Sequence, residues 1–332
     1  MIGREVRLVA RPVGEPDPSD FEVAEVEARE PGEGEVLVRN GWISVDPYMR
    51  GRMNDVKSYT PPFRLGEPME GGAVGTVVAS RGKIPEGATV LHGLGWREYA
   101  TLDASSVRVV DAEKAPPQAY LGVLGMTGLT AYAGLTEVAP VREGDVVFVS
   151  GAAGAVGSVA GQIARRLGAS RVIGSAGGPA KTAKLLDDFG FDAAIDYREG
   201  ELERQLAAAA PDGIDVYFDN VGGDHLRAAI AVLNTFGRVA LCGAVSQYNR
   251  TRPEPGPDNL FQAVGKRLTL RGFIVGDHQK LMGEYVQRAS GWLRQGCLHT
   301  EETVVDGIDN AVDAFVGMLR GRNVGKMLVR LK

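Results

Sequence analysis

Apolar positions follow two different patterns along the chain. Residues 1 to about 120 hold short β-branched runs between Gly and Pro turns, as in 36–38, 73–78 and 88–91. Short strands separated by such turns predict a barrel-like or sandwich unit. From residue 123 onward, apolar runs alternate instead with segments whose apolar residues recur every three or four positions.

Six apolar runs make up this second region: 145–149, 171–174, 193–196, 214–218, 237–241 and 268–275. Helical patterns separate most of them. The clearest such pattern places these residues on one helix face: Val156, Val159, Ala160, Ile163, Ala164 and Leu167. Strands buried on both faces by crossover helices are typical of a parallel sheet. The region is therefore predicted to be an α/β Rossmann unit with a doubly wound parallel sheet.

The C-terminal segment fits neither pattern. Ile308, Ala311, Phe315 and Leu319 lie on one face of an amphipathic helix, and the strand-like run 326–330 follows. A final helix and strand can return to the first region. We therefore expect two domains, a mostly-β domain of residues 1–122 completed by 300–332, and a Rossmann domain of residues 123–299.

Net charge, apolar runs and cysteine count limit the partners and the location expected for the protein. The formal net charge of the 332 residues is −5, and no block of like charge exists. This argues against a nucleic-acid partner and against attraction to a membrane surface. The first residues lack the apolar run of a signal peptide, and no run of about 18 apolar residues occurs. With only two cysteines, Cys242 and Cys297, a reducing cytoplasm is the expected location.

The loop between the first apolar run and its helix carries the strongest chemical signal. Its sequence reads Ala152-x-Gly154-x-x-Gly157, after a predicted strand and before a predicted helix. Gly154 lets the backbone approach a diphosphate, and Gly157 allows close packing of helix on strand. The helix N-terminus offers unpaired N–H groups and the positive end of its dipole. We therefore predict a dinucleotide site here.

The residues after the second predicted strand of this region distinguish an NAD site from an NADP site. An NAD site usually has an acid about 20 residues on, where it binds the ribose 2′-hydroxyl. Here residues 173–181 contain no acid. They contain mostly small residues, among them Ser175, and they end with Lys181. A cation without a nearby carboxylate suits a 2′-phosphate, so the predicted cofactor is NADP(H).

Several long motifs in order resemble a known family. They are residues 46–53, 125–132, 151–157, 217–223, 242–249 and 323–326. Together they resemble the zinc-independent medium-chain dehydrogenases/reductases. The likeness is to the branch of leukotriene B4 12-hydroxydehydrogenase/prostaglandin reductases, alkenal double-bond reductases and bacterial curcumin reductase-like proteins.

The resemblance implies a GroES-like N-terminal domain, an NADPH-binding Rossmann domain and a homodimer paired through the edge strand near 268–275. It also implies a set of cofactor contacts. These are Met126, Thr127, Ala152, Ala153, Gly154, Ala155, Val156, Gly157, Ser175, Lys181, Tyr197, Asn220, Cys242, Gly243, Ala244, Ser246, Tyr248, Phe273, Ile274, Val275 and Asn323.

A metal is not expected. A structural zinc would need four ligands of the thiolate type, and the chain has two cysteines in total. Its four histidines stand in no ligand spacing with a cysteine.

Without a metal, another group must stabilise the charge that forms when hydride attacks. The family's reaction suggests reduction of the carbon–carbon double bond of α,β-unsaturated ketones or aldehydes, which makes an enolate. Tyr248, at the carboxyl edge of the sheet, is the predicted hydrogen-bond donor to its oxygen. Tyr48 is the second candidate; the alternative for it is an aromatic packing residue with Arg50 and Arg52 solvated. Quinone reduction, alcohol oxidation with NADP⁺ and NADPH binding without turnover stay open as alternatives.

Overall fold

The computed structural model describes all 332 residues. The chain forms two compact units. The first unit comprises Met1–Gly122 and Glu302–Lys332, and the second unit comprises Val123–Glu301. No helix is long and apolar enough to cross a membrane.

Fifteen strands occur along the chain. They are β1 (Ile2–Leu8), β2 (Phe21–Glu27), β3 (Glu35–Ser44), β4 (Ala73–Ser80), β5 (Thr89–His92), β6 (Tyr99–Asp103), β7 (Arg108–Val109), β8 (Val146–Val149), β9 (Arg171–Ala176), β10 (Ala193–Asp196), β11 (Ile214–Asp219), β12 (Leu233–Leu241), β13 (Thr269–Gly272), β14 (Glu302–Asp306) and β15 (Lys326–Arg330).

Nine α-helices connect them. They are α1 (Tyr48–Arg52), α2 (Met126–Ala133), α3 (Gly157–Arg166), α4 (Pro179–Asp187), α5 (Leu202–Ala209), α6 (Gly223–Val232), α7 (Gln262–Lys266), α8 (Met282–Arg294) and α9 (Ala311–Leu319). A π-helical turn, Gly134–Val138, continues α2.

The first unit is built on a seven-stranded sheet. Its order is β14-β15-β3-β4-β5-β7, with β6 also paired to β3, and β1 and β2 form a separate hairpin. All pairs are antiparallel except β14 with β15. The predicted C-terminal helix and strand are present as α9 and β15, and β15 pairs with β3. Phe315 of α9 packs edge-on against the fully buried Trp96, with ring centroids 6.0 Å apart. The C-terminal segment therefore completes the core of this unit.

The second unit contains six parallel strands in the order β10-β9-β8-β11-β12-β13. This is the doubly wound order, so the Rossmann prediction is confirmed. Strand β8 is the apolar centre, because Val147, Phe148 and Val149 are fully buried and Phe148 stacks on Tyr217 at 5.0 Å. The strand order reverses between β8 and β11. In such sheets, ligands bind outside the carboxyl ends of the strands at this reversal.

One predicted strand is shorter than its apolar run. Residues 268–275 were expected to be extended throughout, but β13 ends at Gly272 and a 3-10 helix spans Val275–Leu281. The neighbouring strand explains the difference. The last pair of the ladder joins Leu241 to Gly272, so the chain beyond Gly272 has no strand partner.

Candidate functional site

The carboxyl edge of the second unit's sheet is organised around Asp219, the last residue of β11. Its side chain is buried, and Oδ1 accepts hydrogen bonds from Tyr217 Oη (2.6 Å) and Ser150 Oγ (3.2 Å). The amides of Val221 and Gly222 donate to the same oxygen at 2.9 and 2.8 Å. Burial raises the pKa of Asp219, and these hydrogen bonds oppose the shift by favouring the carboxylate.

The main chain of Asp219 extends the same network to a third loop. Its carbonyl accepts the amides of Cys242 (2.9 Å) and Gly243 (3.0 Å). The next residue, Asn220, contacts the loop after β8, because its Nδ2 donates to the Ser150 carbonyl at 2.7 Å. The loops that follow β8, β11 and β12 are therefore held together by one buried residue and its neighbour. In the sequence, the signal for this role of Asp219 is an acid at the end of the apolar run Val216-Tyr217-Phe218.

The glycine-rich loop after β8 is a tight backbone turn. Gly151 has φ +58°, in the left-handed region, and its carbonyl accepts the Gly154 amide at 3.0 Å. A Cβ on Gly157 would lie 2.4 Å from the Gly151 oxygen, so no larger residue fits there. Helix α3 begins at Gly157, so the loop before it lies at the positive end of the helix dipole.

Two of the three alanines of this loop face the interior. Ala152 and Ala153 are buried, and the Ala152 amide donates to the Ser175 carbonyl at 2.8 Å. Gly154, Ala155 and Val156 are half-buried. The part of the loop that can meet a ligand is therefore small and apolar, with backbone donors, which suits a diphosphate.

Positive charge gathers at the next loop, after β9. A Cβ on Gly177 would lie 2.7 Å from Tyr197 Oη and 2.9 Å from Arg198 Nε, so both side chains rest against this glycine. Lys181, in the first turn of α4, lies close enough to Arg198 for that charge to matter. Burial lowers the pKa of Lys181, and the Arg198 guanidinium lowers it further.

One carboxylate lies beside these cations. Asp196 Oδ1 accepts the amides of Gly178 (2.9 Å) and Arg198 (3.0 Å), which joins the loops after β9 and β10. Two cations and the positive end of α4 outweigh this single carboxylate. The arrangement favours a bound anion.

Arg198 is a candidate residue that our sequence reasoning missed. It follows β10, whereas Lys181 follows β9, and the pairing of these strands brings the two loops together. The predicted Tyr197 is exposed and packs edge-on against the buried His225 at 5.4 Å. Ser175, another predicted cofactor contact, is fully buried in β9, and its Oγ makes no hydrogen bond.

The loop after β12 carries Tyr248. A Cβ on Gly243 would lie 3.3 Å from Tyr248 Oη and 3.3 Å from the Asn220 carbonyl oxygen, so the half-buried phenol lies over Gly243 at the carboxyl edge. Ser246 Oγ donates to the Val221 carbonyl at 2.6 Å, which holds this loop on the one after β11. Burial raises the pKa of the Cys242 thiol to about 12. This thiol stays protonated at neutral pH and is no nucleophile.

The predicted nicotinamide contacts lie on two further segments of the second unit. Met126 is exposed at the start of α2, while Thr127 is buried. Phe273 packs edge-on against Phe218 at 6.3 Å, and Ile274 beside it is exposed.

In the first unit, Tyr48 begins α1 and is half-buried. Burial raises the pKa of its phenol, and the nearby Asp46 carboxylate adds to the shift. The expectation that Arg50 and Arg52 are solvated when Tyr48 is a packing residue is wrong. Arg50 is buried and donates to the Gly14 carbonyl at 2.7 Å, and Arg52 stacks over the Phe63 ring at 4.1 Å.

No group of three or more His, Cys, Asp or Glu side chains is placed to hold a metal ion. His92, for example, is buried and its Nε2 lies 2.9 Å from Asn40 Oδ1.

We expect Asp219→Asn to lower the free energy of unfolding by about 1–3 kcal/mol, because a neutral amide oxygen accepts these four hydrogen bonds more weakly than a carboxylate does. Urea denaturation measures the change, with Asp212→Asn on an exposed loop as the matched control. Equal stability of the two variants would contradict the organising role of Asp219.

Two family models match the chain. Residues 4–110 match one described as the N-terminal domain of oxidoreductase, and residues 155–291 match one described as zinc-binding dehydrogenase.

Known proteins match over nearly the full length. The chain is 40% identical to an NADPH-dependent curcumin reductase of Escherichia coli strain K12, over 98% of this chain and 95% of that protein. It is also 40% identical to an NADP⁺-dependent 2-alkenal reductase of Nicotiana tabacum, over 98% and 96%. Among solved structures, CurA of Vibrio vulnificus in complex with NADPH matches with a TM-score of 0.95 and 42% identity, over 99% of both chains.

Proposed function

Because the chain belongs to the medium-chain dehydrogenase/reductase family, in the branch of curcumin and 2-alkenal reductases, we propose that it reduces the carbon–carbon double bond of α,β-unsaturated ketones and aldehydes with NADPH. The predicted fold class, a Rossmann domain inserted into a GroES-like domain, is confirmed by this membership. The observation that carries the proposal is the Tyr248 phenol over Gly243, at the sheet edge that Asp219 fixes. The cations Lys181 and Arg198 in the loops after β9 and β10 support NADPH as the cofactor.

The residues present fit NADP(H). The backbone of Gly154 to Gly157 would hold the diphosphate, and Lys181, Tyr197 and Arg198 would hold the 2′-phosphate. Met126, Thr127 and Phe273 to Val275 are the proposed nicotinamide contacts, with Asn323 proposed from the first unit. When bound, the cofactor supplies hydride to the β-carbon of the substrate.

Tyr248 is the proposed donor to the substrate oxygen. Negative charge appears on that oxygen as the enolate forms, and a hydrogen bond placed there stabilises it where it develops. Tyr248 lies over Gly243, in a loop fixed at both ends by Asp219 and Val221. A fixed donor needs no reorganisation during the reaction.

Tyr48 is the second proposed catalytic residue. Its raised pKa keeps the phenol protonated, so it too can donate a hydrogen bond. The first unit would then serve as the substrate domain and the second unit as the NADPH-binding domain.

We further propose a homodimer in the cytoplasm. Strand β13 lies at the edge of the six-stranded sheet and is largely exposed. Phe261 and Val264, in the segment leading to it, are also exposed. An unpaired edge beside apolar side chains is suited to pairing with a second copy about a two-fold axis. Sedimentation equilibrium measures the oligomeric state.

We expect Arg198→Ala and Lys181→Ala each to weaken NADPH binding by about 10–100-fold, because each removes a charge-assisted contact to phosphate. NADH binding should change little, since it lacks the 2′-phosphate. Fluorescence titration measures both affinities. Arg204→Ala, which removes an exposed arginine paired to Glu201, is the control. Equal losses for the two cofactors would place the 2′-phosphate elsewhere.

We expect Tyr248→Phe to lower the rate of enone reduction by about 10²–10³-fold, the usual effect of losing one donor to a developing oxyanion. NADPH affinity should be preserved. Tyr120→Phe is the control, because that hydroxyl only donates to the Asp111 carbonyl. An unchanged rate in Tyr248→Phe would remove it from the mechanism.

Product analysis tests the reaction class itself. With a panel of enones, quinones and secondary alcohols, the proposal requires NADPH oxidation with formation of the saturated carbonyl compound. Fast quinone reduction without turnover of any enone would contradict it.

A further inference from the structure

A buried ion pair joins the two chain segments that form the first unit, Met1–Gly122 and Glu302–Lys332. Lys326 Nζ lies 2.7 Å from Asp46 Oδ1, and each side chain is only 5% exposed. Nζ also donates to the Val45 carbonyl at 2.8 Å, and Ser44 Oγ donates to the other carboxylate oxygen of Asp46. Both oxygens of the carboxylate are therefore hydrogen-bonded inside the protein.

Stability alone does not explain such a pair. Removing two charges from water costs several kcal/mol per ion, and apolar residues of similar volume often stabilise as well. The sheet already fixes the register here, since Leu328 pairs with Ser44 and the Val45 amide donates to the Met327 carbonyl. Asp46 and Lys326 lie two register positions beyond the last strand pair, Leu328 with Ser44. What it adds is a fixed direction for the chain that leaves the sheet.

The chain leaving the sheet at this point carries Tyr48. The Asp46 carbonyl accepts the Met49 amide at 3.2 Å in the turn that starts α1. In the middle of this helix, Arg50 donates to the Gly14 carbonyl at 2.7 Å and to Asn54 Oδ1 at 2.8 Å. Asp46 therefore fixes the start of the turn that carries Tyr48.

The other partner follows a second proposed site segment. Asn323 Nδ2 donates to the Gly325 carbonyl at 2.8 Å, directly before Lys326. Glu302, opposite Lys326 on β14, is a further carboxylate near the ammonium group. Lys326 thus links the segment of Asn323 to the turn of Tyr48.

We propose that Asp46 and Lys326 are positioning residues, which set the Tyr48 turn against the Asn323 segment and so orient the substrate. This inference rests on the proposed reductase function. It goes beyond that function by assigning a role to two residues outside the proposed cofactor and substrate contacts.

The test compares Lys326→Met, Asp46→Asn and the double variant with the wild type. We expect each single variant to lower kcat/KM for an enone by about tenfold or more, because small misplacements of substrate-side groups have such effects. NADPH affinity should stay at the wild-type value. Arg330→Met is the control, since it removes an exposed ion pair to Asp306 from the same strand.

The double variant separates positioning from plain stability. Without either buried charge it should regain the melting temperature that the single variants lose. Its kcat/KM should nevertheless stay low, because no charged bond then directs the turn. Recovery of both quantities, or wild-type kinetics in the single variants, would overturn the proposal.

Hydrogen exchange gives a readout that does not depend on turnover. In the double variant, amides of residues 47–54 should exchange about tenfold faster, as expected for easier local opening. Amides of 36–43 in β3 should keep their wild-type rates. Unchanged exchange in 47–54 would overturn the positioning role. A wild-type enzyme that reduces no enone would instead refute the proposed function, while the exchange result would still decide the role of the pair.

Discussion

The hydrogen bonds to Asp219 are the interaction on which the candidate site depends. A single buried carboxylate receives a phenol, a hydroxyl and two amides, and its own carbonyl receives two more amides from the next loop. Three loops that are distant in sequence are thereby fixed at one edge of the sheet. An unpaired carboxylate in this position would be strongly unfavourable, so the loops and the acid are stable only together.

Backbone groups and charged side chains lie at different parts of this sheet edge. Near β8 the ligand-facing surface consists of small residues and helix N–H groups, which suits a diphosphate. Near β9 and β10, Lys181 and Arg198 supply full charges; burial lowers the pKa of Lys181, and the Arg198 charge lowers it further. A phosphate bound between them would relieve their mutual repulsion.

Periodicity was sufficient to predict most of the fold. The six parallel strands followed from apolar runs separated by helical spacing, and α9 and β15 followed from one amphipathic face and one strand-like apolar run. The end of β13 could not be predicted, because it depends on where the partner strand β12 stops. Local sequence carries no information about that partner.

The candidate site was predictable where it is local in sequence. The turn of Gly151 to Gly157 follows from glycine spacing. Arg198 was missed because only the pairing of β9 with β10 brings its loop to Lys181. The burial of Arg50 was missed for a similar reason, since its acceptor at Gly14 lies in another part of the first unit. Long-range contacts of this kind are set by topology rather than by spacing.

The most direct measurement is a crystal structure of the protein soaked with NADP⁺. We predict density for the diphosphate on the backbone of Gly154 to Gly157, with the 2′-phosphate between Lys181 and Arg198. A fully occupied dinucleotide bound elsewhere on the second unit, or an empty glycine-rich loop at saturating NADP⁺, would contradict this prediction.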